Sequence, residues 1–365
     1  MNLTGAIDCD VHPLLPTPAD LVPFMDDYWR DTIEVRGLDF WETIAYPANA
    51  PLTIRADWRR QTPRADSTPA TLATTLLDPH GFAHAILNCL FPLQSFRDGN
   101  MGAAFARATN DWLAANWLSR DARLRGSVVV PIQNVERAVD EINHRAGDPR
   151  FVQILLQVMG EQPLGKPHFW PIYAAAEKHG FAVAVHAGSS YHHPVTGSGW
   201  PSHYIEDYAA QAAGFHTQLG SLISEGVFVK YPKLKVVLTE SGISWLPSYL
   251  WRLSKFWRGI RNEVPWIDRE PVEFVRDNVR LTLQPFDAPN DAATAHRIMD
   301  QLRSDDLILF STDFPHWQFD GDAMLPRGLS DHQVRKILID NPRATYSRLA
   351  QTLPTPSMPR KGASP

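Results

Sequence analysis

Residues 151–186 read FVQILLQVMGEQPLGKPHFWPIYAAAEKHGFAVAVH, and this stretch decides the fold. Two short apolar runs, Phe151–Val158 and Phe181–His186, flank a helical pattern over Phe169–Lys178. Both runs are nearly continuous in hydrophobic residues, which suits strands covered on both faces, as in a parallel sheet. Parallel neighbours need a crossover between them, usually a helix. The same alternation extends along the chain in both directions. Upstream, Ala6–His12, Ala83–Cys89 and Gly126–Pro131 read as strands, and downstream Lys235–Glu240, Val279–Leu283 and Leu307–Asp313 do. Apolar residues at helical spacing fill Met101–Arg120, Val135–Arg145, Tyr204–Glu225, Trp245–Asn262, Asp291–Leu302 and Asp331–Asp340. Eight strands with crossover helices predict an α/β fold, a (β/α)8 TIM barrel. A doubly wound open sheet is the alternative, and its nucleotide-binding version is weakened because no GxGxxG follows the first strand.

The composition agrees. The chain has 365 residues, 44% hydrophobic and 21% charged, enough to bury a large core. Its net charge of −5, from 35 Lys+Arg and 40 Asp+Glu, excludes a strongly basic nucleic-acid footprint. No apolar run approaches the roughly 20 residues needed to cross a bilayer. The start, MNLTGAIDCDVH, has neither a basic n-region nor an apolar h-region. Cys9 and Cys89 cannot form a disulfide framework and fit a reducing compartment. The expectation is a cytoplasmic protein without a nucleic-acid or membrane partner. Residues 1–352 are expected to form the barrel, and the Pro-rich segment 353–365 a disordered tail. The long connection 13–80, rich in Trp, Arg and Pro, reads as a lid or insertion after the first strand.

Chemistry in such a barrel sits at the C-terminal ends of the strands. The first ends in Asp10-Val11-His12, where residues two apart point to the same side. By the same parity Cys9 points away and reads as core. The fifth strand ends in His186, the sixth in Glu240 and the eighth in Asp313. His216, in AAGFHTQLG, lies on a helix that can lean over the mouth. Any one of these is more often structural than ligating, but their joint occurrence at strand ends points to metal. His80, His84, His144, His179, His296 and His332 lie away from those ends and receive no role; neither does His316. The loop after strand five offers Tyr191, His192, His193, Trp200 and His203 as pocket residues. The lid offers Arg55, Arg59 and Arg60 for a substrate carboxylate. Trp245, Trp251 and Trp257, at nearly helical spacing, read as packing or interface.

Taken together, Asp10-Val11-His12, His186, the run GVFVKYPKLKVVL and Asp313 in STDFPH resemble the amidohydrolase-related family. The branch in question contains aminocarboxymuconate-semialdehyde decarboxylase. The resemblance covers about residues 6–350 and implies that Asp10, His12, His186 and Asp313 ligate a catalytic metal. Two departures stand out. Glu240 occupies the end of strand six, where the decarboxylase branch usually has His. No lysine occurs in FVQILLQVM, so a carbamylated lysine bridging two metals has no counterpart.

Six donors, Asp10, His12, His186, His216, Glu240 and Asp313, exceed what one four- or five-coordinate ion uses. Two ions fit, with Glu240 or Asp313 bridging. Mixed imidazole and carboxylate ligands suit Fe, Mn or Zn. This donor set is similar to that of a small group of non-haem dinuclear oxygenases of the same fold, so the sequence favours an Fe/Mn monooxygenase of a small organic substrate, with O2 as co-substrate. In that reading Glu240, Asp313 and His216 are the catalytic residues. A hydrolase of an amide, ester or lactone is the second reading, and a decarboxylase of an aromatic or unsaturated acid the third. A single ion, with Glu240 or His216 only orienting a ligand, is the simpler state of the site. The resemblance also implies a homo-oligomer, or a hetero-oligomer with a related barrel chain; that this chain is itself the non-catalytic partner of an active one is a further reading, opposed by its full donor set.

Overall fold

The computed structural model describes residues 3–38, 68–188, 193–287, 291–316 and 324–350. Eight parallel strands form one sheet in the order β1 to β8: β1 Ile7–Val11, β2 His84–Leu87, β3 Leu124–Val129, β4 Phe151–Gln157, β5 Ala182–His186, β6 Val236–Thr239, β7 Val279–Thr282 and β8 Ile308–Leu309. The expected barrel is therefore present. Its seam runs between β1 and the chain after β8. The Cys9 amide donates to the Phe310 carbonyl at 2.9 Å and the His12 amide to that of Phe314 at 2.8 Å, while the Asp313 amide donates to the Asp10 carbonyl at 3.1 Å. Buried Asp8 reinforces this seam by accepting from the Thr312 hydroxyl at 2.6 Å and the Thr312 amide at 3.0 Å.

One irregularity shapes the site. On β1, Asp8 pairs with Ala85 and Val11 with Leu87, so three steps on β1 match two on β2. Such a bulge resets which side chains face inward. Cys9 accordingly joins the inner layer with Ile7, Ile86, Val152, Ala182, Val237, Leu309 and Tyr346. It is core, as expected, and it belongs to neither of the two donor groups at the barrel mouth. Polar donors then occupy the inner layer further along the strand.

Crossover helices cover the outside: Gly99–Leu113, Val135–Arg145, Trp170–His179, Tyr204–Ser224, Trp245–Ile260 and Ala292–Leu302. Outward strand residues such as Ile154, Leu156, Val183, Val185 and Leu238 pack under them. The described start of the 13–80 insertion includes helix Asp27–Arg36, and its Leu21, Met25 and Ile33 pack against Phe91, Leu93 and Phe105. In helix Trp245–Ile260, Trp245 is buried, Trp257 half-buried and Trp251 exposed. Arg55, Arg59 and Arg60, and the segment 353–365, lie outside the described residues. Among the described residues no helix is long and apolar enough to cross a membrane.

The end of the chain latches onto the N-terminal side of the barrel through Arg348, which is 3% exposed. Its guanidinium donates to four carbonyls: Phe151 at 2.7 Å, and His179, Ala146 and Asp148 at 3.0 Å each. It also stacks over the Phe181 ring at 4.2 Å. Truncation would strand several of these acceptors in a dry environment. We expect Arg348→Ala to lower stability by roughly 2–4 kcal/mol, measured as a drop in thermal midpoint. An unchanged midpoint would remove Arg348 from the account of the latch.

Candidate metal centre

Five strand-end donors and one loop histidine meet at the barrel mouth. Asp10 Oδ1 lies 3.1 Å from His12 Nε2 and 3.4 Å from His186 Nε2. Asp313 Oδ1 lies 3.0 Å from His12 Nε2, and Glu240 Oε1 lies 3.6 Å from His12 Nε2 and 3.9 Å from His186 Nε2. His316 adds Nδ1 at 2.7 Å from Asp313 Oδ1 and 3.3 Å from Glu240 Oε1, its ring stacked on His12 at 3.9 Å. Two overlapping donor groups result, Asp10–His12–His186–Glu240 and His12–Glu240–Asp313–His316. Each holds its ligand atoms within 4.8 Å of one another.

The tautomers suit a cation. His12 Nδ1 lies 3.1 Å from the Asn88 carbonyl and His186 Nδ1 2.8 Å from the Ala187 carbonyl. A carbonyl only accepts, so each Nδ1 carries the proton and donates it there. Each Nε2 therefore turns a lone pair toward the carboxylates. Acceptor facing acceptor is stable only with positive charge between them. Asp10 Oδ2 and Asp313 Oδ2 are buried and receive no hydrogen bond. The residues present fit a divalent ion.

Charge follows the same logic. Burial would raise Asp10, but His12 and His186 outweigh it and hold the carboxyl below its usual range. Burial opposes charge on His12, yet Asp10 beside it raises the ring well above its ordinary value. Glu240 is likewise driven well down, burial being overcome by His186, His12 and His316. Asp313 goes the other way: burial and the Glu240 charge push it up to about 6. For His316, burial is outweighed by Asp313, and the ring rises to about 9. The carboxylates thus draw in positive charge, as protons or as metal.

The backbone is bent to place these donors. Glu240 has φ 55° and Asp313 φ 57°, both left-handed. For residues with a Cβ this costs about 1–2 kcal/mol each, and such outliers cluster at functional sites. After Glu240 the turn needs Gly242, at φ 68°, because a Cβ there would collide with Asp287. The Asp287 carboxylate holds this turn by accepting from the amides of Ile243 at 2.9 Å and Ser244 at 3.0 Å. Below the cluster, Asn88 Nδ2 donates to Asp10 Oδ1 at 2.8 Å, while Asn88 Oδ1 accepts from Ser127 Oγ at 2.6 Å and Gln153 Nε2 at 2.9 Å. From the helix above, the Tyr208 hydroxyl donates to Glu240 Oε2 at 3.0 Å.

Of the expected ligands, Asp10, His12, His186, Glu240 and Asp313 come together. His216 belongs to neither donor group. It sits further along helix Tyr204–Ser224, stacked on Tyr249 at 4.7 Å and against Trp245 at 4.8 Å. His316 takes a place in the cluster instead. Its signal was the spacing from Asp313: the turn after β8 carries residue i+3 back over the mouth, and the His316 amide donates to the Asp313 carbonyl at 2.8 Å. Among the suggested pocket residues, Tyr191 and His192 lie outside the described residues. Trp200 is exposed, and His193 turns its ring nitrogens to the Pro194 and Gly160 carbonyls at 2.9 and 2.8 Å.

Comparison with known proteins agrees with this architecture. The amidohydrolase family model matches residues 7–348. The chain belongs to the amidohydrolase family. It is 26% identical over 262 residues to a γ-resorcylate decarboxylase of Polaromonas sp. (strain JS666), covering 68% of this chain and 77% of that one. With the γ-resorcylate decarboxylase of Rhodococcus jostii (strain RHA1) it shares 25% over 268 residues, 66% and 75% of the two chains. An amidohydrolase from Mycobacterium avium subsp. paratuberculosis K-10 superposes with a TM-score of 0.70 at 20% identity, over 96% of this chain and 98% of that one. A dihydroxybenzoic acid decarboxylase from Polaromonas sp. JS666, crystallised with manganese and the inhibitor 2-nitroresorcinol, gives 0.64 at 22%, with the same coverage. This amidohydrolase-family enzyme therefore has decarboxylases among its relatives, and a buried cluster of metal-binding residues.

Two measurements follow. Asn88→Ala removes the donor that orients Asp10, and metal affinity should fall about 10–100-fold, read by competition with a chromogenic chelator while circular dichroism stays unchanged. An unaltered affinity would free Asp10 from dependence on Asn88. Stripping metal with a chelator should also lower the thermal midpoint, since ligand at 100 times its Kd stabilises by about 2.7 kcal/mol. No shift would argue against occupancy of the cluster.

Proposed function

We propose that this amidohydrolase is a metal-dependent, non-oxidative decarboxylase of a small aromatic acid. The observation that carries the reading is the Asp313–His316 pair, hydrogen-bonded at 2.7 Å beside the Asp10–His12–His186–Glu240 donor group. The named relatives support it, although the sequence alone favours an oxygenase. Asp10, His12, His186 and Glu240 would hold a divalent ion, which supplies a Lewis acid that anchors and polarises the substrate. His316, raised to about 9 beside Asp313, carries the proton at neutral pH and donates it to the Asp313 carboxylate. The aryl–carboxylate bond breaks, CO2 leaves, and the electron pair left on the ring carbon takes the proton from the Asp313–His316 pair. Solvent restores that proton. The reaction needs no oxidant. Tyr208 keeps Glu240 turned toward the ion by its hydrogen bond, and the dry mouth favours loss of the carboxylate charge.

A second reading is favoured by one specific observation. His12–Glu240–Asp313–His316 forms a second donor group sharing His12 and Glu240 with the first, and Glu240 stands where the decarboxylase branch has His. Two Fe or Mn ions held there would supply O2 activation, and the activity would be a monooxygenase. Two buried free thiols, Cys9 and Cys89, support a cytoplasmic setting for either.

One experiment separates the readings. Metal-loaded protein is incubated under argon with a panel of hydroxybenzoates, including 2,6-dihydroxybenzoate, and CO2 release is followed together with metals per chain. Decarboxylation predicts CO2 without O2, and Asp313→Asn should lower the rate roughly 10²–10⁴-fold. No CO2 under argon, with two redox-active ions per chain and O2 uptake in air, would sink it in favour of the oxygenase.

A further inference from the structure

The metal cluster takes its ligands from β1, β5, β6 and the segment after β8, one side of the barrel mouth. The opposite side, at the C-terminal ends of β2, β3 and β4, encloses a separate niche. Leu90, Phe91, Val130, Ile132 and Leu155 line it, with the side chains of Gln94 and Gln157. Its free volume is about 20 Å³, room for one water molecule or a group of that size.

Gln157 is only 7% exposed, and among the described residues neither its Oε1 nor that of Gln94 accepts a hydrogen bond. Buried amide oxygens are nearly always satisfied, so two at one niche without a partner among the described residues point to a donor that enters the niche. The backbone that carries each amide is held in place. Gln157 pairs with the ligand His186 in the β4–β5 register, one strand spacing away, about 4.8 Å. The turn that carries Gln94 is fixed by Gln133 Nε2, which donates to the Leu93 carbonyl at 2.8 Å and the Phe96 carbonyl at 3.1 Å.

The lining selects the ligand group. Among the described residues no charged side chain lines the niche, so a carboxylate, phosphate or ammonium would find no counter-charge from them. A hydroxyl both donates and accepts, and it pairs with a carboxamide in either orientation. The geometry points to Gln157, assisted by Gln94, as the seat for a neutral hydroxyl on the substrate ring, remote from the group anchored at the metal cluster. This inference rests on the reading that the substrate is a small aromatic acid. It adds a specificity-determining residue on β4, one strand away from the His186 donor on β5.

The test is binding to the metal-loaded full chain, by titration calorimetry with benzoate, 3-hydroxybenzoate and 4-hydroxybenzoate. At least one hydroxybenzoate should bind ~10-fold or more tightly than benzoate, a difference typical of one buried hydrogen bond. Gln157→Leu should reduce that preference to under about twofold, while benzoate, with nothing to place in the niche, binds both proteins alike. Gln157→Met, closer in shape, serves if the leucine variant does not fold. A wild type without the preference, or a preference that survives in the variant, overturns the assignment. So does a crystal structure of the hydroxybenzoate complex with only water beside Gln157. The failures are distinguishable: a Gln157-dependent preference without CO2 release sinks decarboxylation alone, and CO2 release without the preference sinks the subsite alone.

Discussion

Three carboxylates, Asp10, Glu240 and Asp313, share a dry space at one end of the barrel, and the surrounding structure answers the repulsion this creates. Like charges this close cannot all stay ionised without positive charge between them. The two imidazoles with Nδ1–H turned outward leave that positive charge to a metal or a proton. Left-handed backbone at Glu240 and Asp313, the Asp287 clamp and the Asn88–Ser127–Gln153 chain all hold acceptors in a convergence they would otherwise relax. Stability is spent here, as at other sites built for binding.

Much of this was legible in the letters. The parallel barrel followed from continuous apolar runs separated by helical spacing, and five of the donors that converge at the mouth were read from strand ends. Three things did not. The β1 bulge is a feature of pairing, not of composition, so no residue type announced it. His216 looked suitable because its helix crosses the mouth, but helix phase gives that contact to Tyr208, two turns earlier. His316 escaped because a turn residue has no periodic signal; only its distance from Asp313 marked it. The segments 39–67 and 189–192, to which several substrate contacts were assigned, lie outside the described residues.

The barrel mouth divides its labour by strand. Charged donors come from β1, β5, β6 and the β8 end, and apolar walls with two amides from β2 to β4. A parallel sheet makes this possible because every strand ends at the same face, so the two sides can be specified independently. The described part of the 13–80 insertion packs on the apolar side, through Leu21, Met25 and Ile33 against Phe91 and Leu93. It buttresses the niche wall rather than the ion.

Charge balance decides between the two chemistries the cluster can support. Three carboxylates carry three negative charges. One divalent ion leaves a single negative charge, which a proton on the Asp313–His316 pair cancels; that state is an acid ready to donate. Two divalent ions leave one positive charge, which an anionic ligand cancels, and then His316 must be deprotonated to coordinate. Proton and second ion therefore compete for the same place. A site that keeps the proton can protonate a ring carbon, and one that trades it for a metal gives up that acid. Asp313 and His316 lie only 2.7 Å apart, a hydrogen-bond distance that a second ion bound by both would have to open. That is the physical ground for placing decarboxylation first.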